Sequence, residues 1–297
     1  MRLQRLTTER RNRATQNLDA MTALELVDVM NREDAVVPRT IRRVLPQIAE
    51  ALDAITDALA KDGRLIYVGT GTSGRIGALD ASECPPTFGL SPRAVQFLIA
   101  GGERALAHAS EVSEDSAKLG RRDMARKRPG KLDVVVGLAA SGRTPYTISA
   151  MEYAASKGAT TIAIACNEGS AIGKAAQIRI EVDVGPEVLT GSSRLKAGTA
   201  QKMICNMLTT GAMARLGYVY SNLMVNLHLK NKKLVERGIA IVRVLAHVDR
   251  ETAISTLESA GMSLPLALVM LMADTDKRDA ARRLRKAKGN VRKAIKG

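Results

Sequence analysis

The sequence predicts an α/β protein built on a parallel sheet. Helical patterns alternate with five apolar runs rich in β-branched residues, at 65–68, 94–99, 132–138, 160–166 and 178–184. Continuous apolar strands separated by helices are typical of parallel sheets that helices cover on both faces. Such sheets bind ligands at the carboxyl ends of their strands, where the strand order reverses. Functional residues are therefore expected directly after the strands.

The segment before the first strand is predicted to be helical. Thr22 and Glu25 form a capping box, which is typical of the start of a helix. Apolar residues from Ile41 to Leu59 follow helical spacing and predict a second helix. Pro46 lies inside this pattern, so we expect a kink or a break close to it.

Helical patterns also lie between the strands and after them. They are found at 103–119, 144–157 and 171–176, and then at 194–216 and 222–248. Beyond residue 248, Gly261, Pro265 and Gly289 separate three or four short helices. We therefore predict a large domain at 1–248 that includes the N-terminal helices, and a small basic helical bundle at 249–297.

Composition limits the class of protein. The 297 residues are 45% hydrophobic, which is enough for one large α/β domain with a small appendage. The three cysteines have no metal-ligand spacing, which predicts a reducing compartment and no metal site. The N-terminus lacks the apolar segment of a signal peptide, and the apolar run at 264–273 is too short to span a bilayer. We expect a cytoplasmic protein.

Basic residues are concentrated at the two ends of the chain. Of the net charge of +15, residues 1–14 carry +4 and residues 277–297 carry +9, so the middle is nearly neutral. A basic terminus can bind nucleic acid or an acidic surface. The sequence favours a solvated helix face instead, because the aromatic residues that stack on bases are absent there. Nucleic acid is therefore not an expected partner.

A glycine-rich turn follows the first strand. Gly69, Gly71 and Gly74 have the spacing of a dinucleotide fingerprint, and the helix that begins behind them is suited to an anion. A dinucleotide site also needs an acidic residue after the second strand, where only Glu103 is available. Cys84-Pro85-Pro86 is expected to end the helix early. Both points disfavour NAD.

A second turn of the same kind follows the third strand. Ser141-Gly142-Arg143-Thr144 precedes Pro145, a residue favoured in the first turn of a helix. With Ser73 of the first turn, these hydroxyls suit a compact phosphomonoester better than a long dinucleotide. Either turn alone would be read as ordinary helix capping. The pair predicts a phosphate site.

Further polar and charged residues complete the candidates. Arg194 and Lys196 stand beside hydroxyls and glycines at the start of the helix predicted at 194–216, where a solvated helix start is the alternative to an anion site. Glu83 and Glu114 are the carboxylates best placed for acid–base chemistry, because the three histidines are scattered. A single glutamate on a helix is usually a surface group, and spacing does not show whether these two meet.

Four stretches resemble the N-acetylmuramic acid 6-phosphate etherase family: GTGTSGRIGALDASECPPTFG, SEDS, LAASGRTPY and PEVLTGSSRLKAGTAQK. The resemblance extends from about Thr7 to the end of the chain. It implies a parallel-sheet sugar-isomerase (SIS) fold with a small ubiquitin-associated-like C-terminal bundle, and a homodimer without metal or organic cofactor. It also implies a lyase of peptidoglycan recycling, which converts the sugar phosphate to N-acetylglucosamine 6-phosphate and D-lactate.

The resemblance also implies roles for individual residues. Glu83 is implied to protonate the departing lactate oxygen. Glu114 is implied to be the second catalytic carboxylate, which handles either the C2 proton or the incoming water. The residues implied to bind substrate are Thr72, Ser73, Gly74, Ser141, Gly142 and Thr144 at the phosphate, and Ser193, Arg194 and Lys196 near the sugar.

Two alternatives share the predicted phosphate site. One is a non-catalytic sugar-phosphate-binding protein of the same fold, in the manner of glucokinase regulatory protein, which would not need Glu83 and Glu114. The other is an aldose–ketose sugar-phosphate isomerase, which would also use a carboxylate at C2. Neither would release lactate, so the lactate product separates both from an etherase.

Overall fold

The computed structural model describes residues 6–108 and 113–297 of the chain. These residues divide by their contacts into two compact units. The first contains the described parts of Met1–Ser82 and Arg93–Thr209, and the second contains Glu83–Pro92 and Thr210–Gly297. Two helices, at 71–88 and 196–216, contribute residues to both units.

The first unit contains a five-stranded, fully parallel sheet in the order β2-β1-β3-β4-β5. Its strands are β1 (Leu65–Gly69), β2 (Val95–Ile99), β3 (Val134–Leu138), β4 (Thr160–Ala165) and β5 (Ile178–Glu181). Every residue of β1 and β3 is buried, as expected for central strands with helices on both faces. The predicted parallel sheet is confirmed. The strand order reverses between β1 and β3, which places the turns after these strands at the position where such folds bind ligands.

Eight helices belong wholly or partly to the first unit: α1 (Ala23–Asp34), α2 (Val36–Ile41), α3 (Leu45–Ala60), α4 (Gly71–Phe88), α5 (Ala117–Lys127), α6 (Pro145–Ser156), α7 (Ala171–Lys174) and α8 (Lys196–Leu216). The capping box of Thr22 and Glu25 is present at the start of α1. Pro46 lies in the first turn of α3, where its missing N–H has no intrahelical partner to lose. The break expected near Pro46 is therefore confirmed.

The helix after β1 corrects a prediction. Cys84-Pro85-Pro86 does not end α4, which continues to Phe88. Each proline removes one backbone donor but keeps its carbonyl as an acceptor, and the amide of Gly89 donates to Pro85 O over 2.9 Å. The helix ends at Gly89, whose φ of +67° favours glycine. Since α4 is not shortened at the prolines, its length is no argument against a dinucleotide.

The segment between β2 and β3 also differs from the single helix predicted at 103–119. It contains a 3-10 helix at Glu103–Leu106 and then α5, and residues 109–112 of the predicted helix lie outside the described residues. Ser116 caps α5 by accepting a hydrogen bond from the amide of Leu119. A local Ser–backbone bond of this kind stabilises a helix start, so α5 begins directly after Ser116.

Gly120 lets α5 pack directly on α6. A Cβ atom at Gly120 would lie 2.0 Å from the backbone oxygen of Tyr146 and 2.6 Å from Ser149 Oγ. We expect Gly120→Ala to lower the free energy of unfolding by about 2 kcal/mol, because the clash with a backbone atom outweighs the helix propensity of alanine. Urea denaturation measures this. Gly130→Ala is the matched control, since a Cβ there meets open space; equal stability of the two variants would contradict the expectation.

In the second unit, the helix predicted at 222–248 is only partly present. Residues 219–224 form a hairpin of β6 (Val219–Tyr220) and β7 (Leu223–Met224), so the segment 222–248 contains one strand of this hairpin and then α9 (Lys232–Ala246). Ser221 forms the turn of the hairpin with a φ of +54°. Asn231 caps α9 by accepting a hydrogen bond from the amide of Leu234. The apolar residues of 222–227 are therefore not part of the helix.

The C-terminal segment contains four short helices: α10 (Arg250–Ser259), α11 (Leu264–Met272), α12 (Lys277–Lys286) and α13 (Val291–Lys296). They share one hydrophobic core with α9, which includes Val242, Leu257, Leu268 and Val291. The boundary predicted near residue 248 thus lies inside the second unit. Among residues 6–108 and 113–297, no single helix is long and apolar enough to cross a membrane; the bent pair α10 and α11 meets this length and composition criterion only jointly.

Candidate active site

A polar cavity of about 220 Å³ lies at the carboxyl ends of β1 and β3. The turn after β1 contributes Thr70, Gly71, Thr72 and Ser73 to its wall, and the turn after β3 contributes Ala139, Ala140, Ser141 and Thr144. The other lining residues are Thr8, Glu9, Glu114 and Ser193. The two turns that the sequence predicts as a phosphate site therefore line one cavity.

The first turn presents two hydroxyls at the start of α4. Thr72 and Ser73 line the cavity, and Ser73 is buried. Backbone amides in the first turn of a helix have no intrahelical partner, and they suit an anion. Gly74 does not line the cavity; a Cβ there would lie 2.8 Å from Gly69 O, so its role is close packing of α4 on β1.

The second turn presents Ser141 and Thr144 before α6. Ser141 Oγ accepts a hydrogen bond from the amide of Arg143 over 3.3 Å. Gly142 has a φ of +70°, and a Cβ there would lie 2.4 Å from Ser170 Cβ, so this glycine shapes the turn and does not line the cavity. Thr144 is the N-cap residue of α6, but its side chain makes no capping hydrogen bond. Its hydroxyl points to another partner.

That partner is Glu114. Thr144 Oγ1 donates to Glu114 Oε1 over 3.4 Å, and the amide of Tyr146 donates to Glu114 O over 3.2 Å. The side chain of Glu114 is half-buried and lines the cavity. The structure thus brings the predicted catalytic carboxylate together with the predicted phosphate-binding hydroxyls.

Glu83 is placed differently. It is exposed, lies on α4 and belongs to the second unit. It is not one of the residues that line the cavity. Its catalytic role therefore stays a prediction.

Of the three residues predicted to bind substrate at the start of α8, only one lines the cavity. Ser193 lines the cavity, whereas Arg194 is exposed and does not line it. Lys196 is buried, and its Nζ forms an ion pair with Glu33 Oε2 on α1 at 2.5 Å. A buried ammonium group needs such a counter-charge, so this lysine joins α8 to α1 and does not line the cavity.

Buried Glu187 supports the start of α8. Its carboxylate accepts hydrogen bonds from the amides of Lys196 and Ala197, each over 2.9 Å. Burial raises the pKa of Glu187, and these two amides and the ammonium of Lys196 partly offset that increase. The carboxylate stabilises the positive end of the helix dipole.

Sequence reasoning missed Thr8 and Glu9 in the wall of the cavity. They belong to an N-terminal segment without periodicity, in which no residue has an assigned role. It also missed Asn167, a buried residue directly after β4 that bonds to this segment. The expectation that ligand sites lie at the carboxyl ends of strands could have identified Asn167.

The described residues contain no group of three or more His, Cys, Asp or Glu side chains arranged to hold a metal ion. Cys84, Cys166 and Cys205 are buried, and no disulfide joins them within the part of the chain that the structure describes. Burial raises the pKa of the Cys166 and Cys205 thiols well above the ordinary value, which disfavours the reactive thiolate.

Comparisons with known families agree with this fold. Residues 47–155 match the model of the glucokinase regulatory protein N-terminal SIS domain, and residues 110–211 match the model of the SIS domain. Among solved structures, a phosphoheptose isomerase from Francisella tularensis is 19% identical with a TM-score of 0.48, and the match covers 64% of this chain and 100% of that one. The two family-model matches show that the first unit contains the SIS fold that the sequence predicts.

Relatives with known names match almost the whole chain. The N-acetylmuramic acid 6-phosphate etherase of Actinobacillus pleuropneumoniae serotype 5b is 50% identical, over 99% of this chain and 96% of the relative. A protein of the same name from Oenococcus oeni is 50% identical, over 99% of this chain and 99% of the relative. Another from Klebsiella aerogenes is 48% identical, over 99% of this chain and 98% of the relative. The chain belongs to the N-acetylmuramic acid 6-phosphate etherase family.

Proposed function

We propose that this protein is a carbon–oxygen lyase that cleaves the D-lactyl ether of N-acetylmuramic acid 6-phosphate. The products are N-acetylglucosamine 6-phosphate and D-lactate. The observation that carries the proposal is the identity of about half, over nearly the full length, with proteins named for this activity. The cavity supports it, because hydroxyls and helix starts that suit a phosphate lie beside the carboxylate of Glu114.

The phosphate is held by neutral donors in this proposal. None of the described residues that line the cavity is Lys, Arg or His. The hydroxyls of Thr72, Ser73 and Ser141 and the backbone amides in the first turn of α4 surround the anion. Two helix N-termini at one position also supply favourable dipoles for a doubly negative group.

The chemistry requires proton transfers at two carbon atoms. The C3 ether becomes labile when the ring opens to a C1 aldehyde, because the C2 proton is then acidic. A base removes this proton, an acid protonates the lactate oxygen, and water adds to the unsaturated aldehyde at C3. Glu114 lines the cavity and handles the C2 proton or the water; Glu83 protonates the lactate oxygen in this scheme.

The biological setting belongs to the same proposal. The family resemblance supports a homodimer that acts in peptidoglycan recycling. Three buried cysteines, none of which forms a disulfide in the described structure, support a reducing compartment such as the cytoplasm.

The direct test is the release of D-lactate. We expect the purified protein to liberate D-lactate from N-acetylmuramic acid 6-phosphate without added metal or nucleotide, as measured by a coupled lactate dehydrogenase assay. N-acetylmuramic acid without the phosphate is the matched control, and we expect its turnover to be at least tenfold lower, since most of the cavity donors then have no partner.

Two other outcomes would contradict the etherase. A folded protein that binds the sugar phosphate and releases no lactate would favour the regulatory alternative, which the match of residues 47–155 to a glucokinase regulatory protein domain also suggests. Interconversion of an aldose phosphate and a ketose phosphate would favour the isomerase. Circular dichroism shows whether the protein is folded in either case.

A further inference from the structure

The cavity contains a second carboxylate, Glu9, to which the etherase scheme assigns no role. Its side chain is half-buried and lines the cavity together with Glu114. Glu114 accepts a hydrogen bond from Thr144, whereas the Glu9 carboxylate makes no hydrogen bond or ion pair with any residue in 6–108 or 113–297. Among the described residues, none therefore competes with a ligand donor for the carboxylate of Glu9.

Glu9 is held in a defined position by the residues before it. The amide of Thr7 donates to Asn167 Oδ1 over 2.8 Å, and Asn167 Nδ2 donates to Thr8 Oγ1 over 3.2 Å. The same Nδ2 donates to Ala140 O over 3.1 Å, at the residue before Ser141. One buried side-chain amide thus ties the Glu9 segment to the second phosphate turn.

Charge limits which part of a substrate Glu9 can face. Two like charges 4 Å apart repel by about 4 kcal/mol near a protein surface, and none of the described lining residues is a cation that could offset this. A carboxylate in contact with the phosphate would therefore weaken binding. The favourable partner of Glu9 is the neutral part of the sugar, where hydroxyl groups can donate to it.

The proposed reaction has a step for such a group. The C2 proton becomes acidic only in the open-chain aldehyde, so the pyranose ring must open first. Opening requires the proton on O1 to leave and a proton to reach O5. The roles assigned to Glu83 and Glu114 concern the lactate oxygen, the C2 proton and the water at C3, so ring opening has no assigned residue.

We propose that Glu9 is the catalytic base that opens the sugar ring, an inference that rests on the proposed etherase function. The Glu9 carboxylate takes the proton from the O1 hydroxyl, and the electron pair of that O–H bond forms the C1=O double bond. The C1–O5 bond breaks with its electron pair on O5. The proton passes from Glu9 to O5, which leaves a C5 hydroxyl and an ionised Glu9, so atoms and charge balance.

The test compares two substrates that enter the reaction at different points. N-acetylmuramic acid 6-phosphate requires ring opening, whereas the open-chain unsaturated aldehyde is hydrated at C3 without it. We expect Glu9→Gln to lower kcat for lactate release by at least tenfold with little change in KM, since general base catalysis contributes about 10²–10⁴-fold. The same variant should hydrate the aldehyde, followed by loss of its absorbance, at the wild-type rate.

Asp19→Asn is the matched control, because Asp19 is an exposed carboxylate of the same N-terminal segment and does not line the cavity. It should leave both rates unchanged. Normal lactate release by Glu9→Gln would overturn the role of Glu9, and so would an equal loss of both reactions. A wild-type protein that neither releases lactate nor hydrates the aldehyde would instead contradict the proposed etherase function.

Discussion

Glu114→Gln is expected to lower kcat for lactate release by about 10²–10⁴-fold. The glutamine keeps the shape of the side chain and an oxygen that accepts from Thr144, but it cannot take up a proton. Glu114 is the carboxylate that the structure joins directly to a phosphate-site hydroxyl, at 3.4 Å. Substrate binding should change little, because the hydroxyls and helix N-termini remain. Steady-state lactate assays and calorimetric binding of N-acetylglucosamine 6-phosphate measure the two effects.

The control for this prediction is Glu152→Gln, which removes an exposed carboxylate from α6. It should retain normal turnover. Lactate release by Glu114→Gln within a fewfold of the wild type would exclude an acid–base role for Glu114. A large loss of binding with normal kcat would show that Glu114 binds substrate and does not act on protons.

Asp133→Asn is expected to lower the free energy of unfolding at pH 7 by about 3 kcal/mol. Asp133 is buried at the amino end of β3, and its Oδ2 accepts from Arg64 Nη2 over 2.6 Å and from the amide of Gly130 over 2.9 Å. Its Oδ1 accepts from the amide and Nε of Arg64, each over 3.0 Å. The variant leaves the guanidinium of Arg64 without its counter-charge, so the loss exceeds that of a surface pair.

The pH dependence of this effect follows from the pKa of Asp133. Burial raises the pKa of Asp133, but the hydrogen bonds from Arg64 and Gly130 outweigh burial and hold the pKa below its ordinary value. A carboxylate with a lowered pKa stabilises the fold above its unfolded pKa of about 3.9. Its contribution is lost as the pH falls through the folded pKa, so the difference between wild type and variant should narrow below about pH 4.

Urea denaturation between pH 7 and pH 3 measures both the size and the pH dependence. Asp57→Asn is the matched control, because Asp57 is an exposed carboxylate on α3. It should change the free energy of unfolding by less than about 0.5 kcal/mol. A stability difference for Asp133→Asn that stays constant down to pH 3 would exclude the ionised carboxylate as its cause.

Local patterns predicted most of the α/β unit. The strands are buried on both faces, so each is a continuous apolar run that can be recognised from its own residues alone. The two phosphate turns were also predictable, because Ser73 and Ser141 each follow a strand and begin a helix. The rule that the carboxyl ends of parallel strands share one edge predicts that the two turns are neighbours.

Two helix predictions were wrong because the same local sequence pattern is compatible with more than one structure. Pro85 and Pro86 were expected to end α4, but the helix continues until Gly89, where the backbone takes the left-handed conformation. The segment 222–248 has helical spacing, yet its first residues pair as a hairpin with 219–220. Hairpin pairing depends on residues across the turn, which helical periodicity does not register.

Contacts between residues far apart in the chain determine where single charged side chains lie and what they bind. Lys196 stands beside hydroxyls and glycines in the sequence, but Glu33, 163 residues away, pairs with its ammonium group. Glu9 lies in a segment without pattern, but Asn167, which bonds to the preceding Thr7 and Thr8, holds this segment at the cavity. No local spacing encodes either pairing.

The sequence by itself determined the parallel sheet, the two phosphate turns and the family to which the chain belongs, because these depend on periodicity, turn residues and motifs that are local in the chain. Only the tertiary structure decided that Glu114 and Glu9 share the cavity and that Lys196 does not line it. The physical reason is that the groups lining the cavity come from separate segments of the chain; Glu9 and Glu114, for example, are 105 residues apart. Hydrogen bonds and ion pairs between those segments determine which side chains remain free to bind.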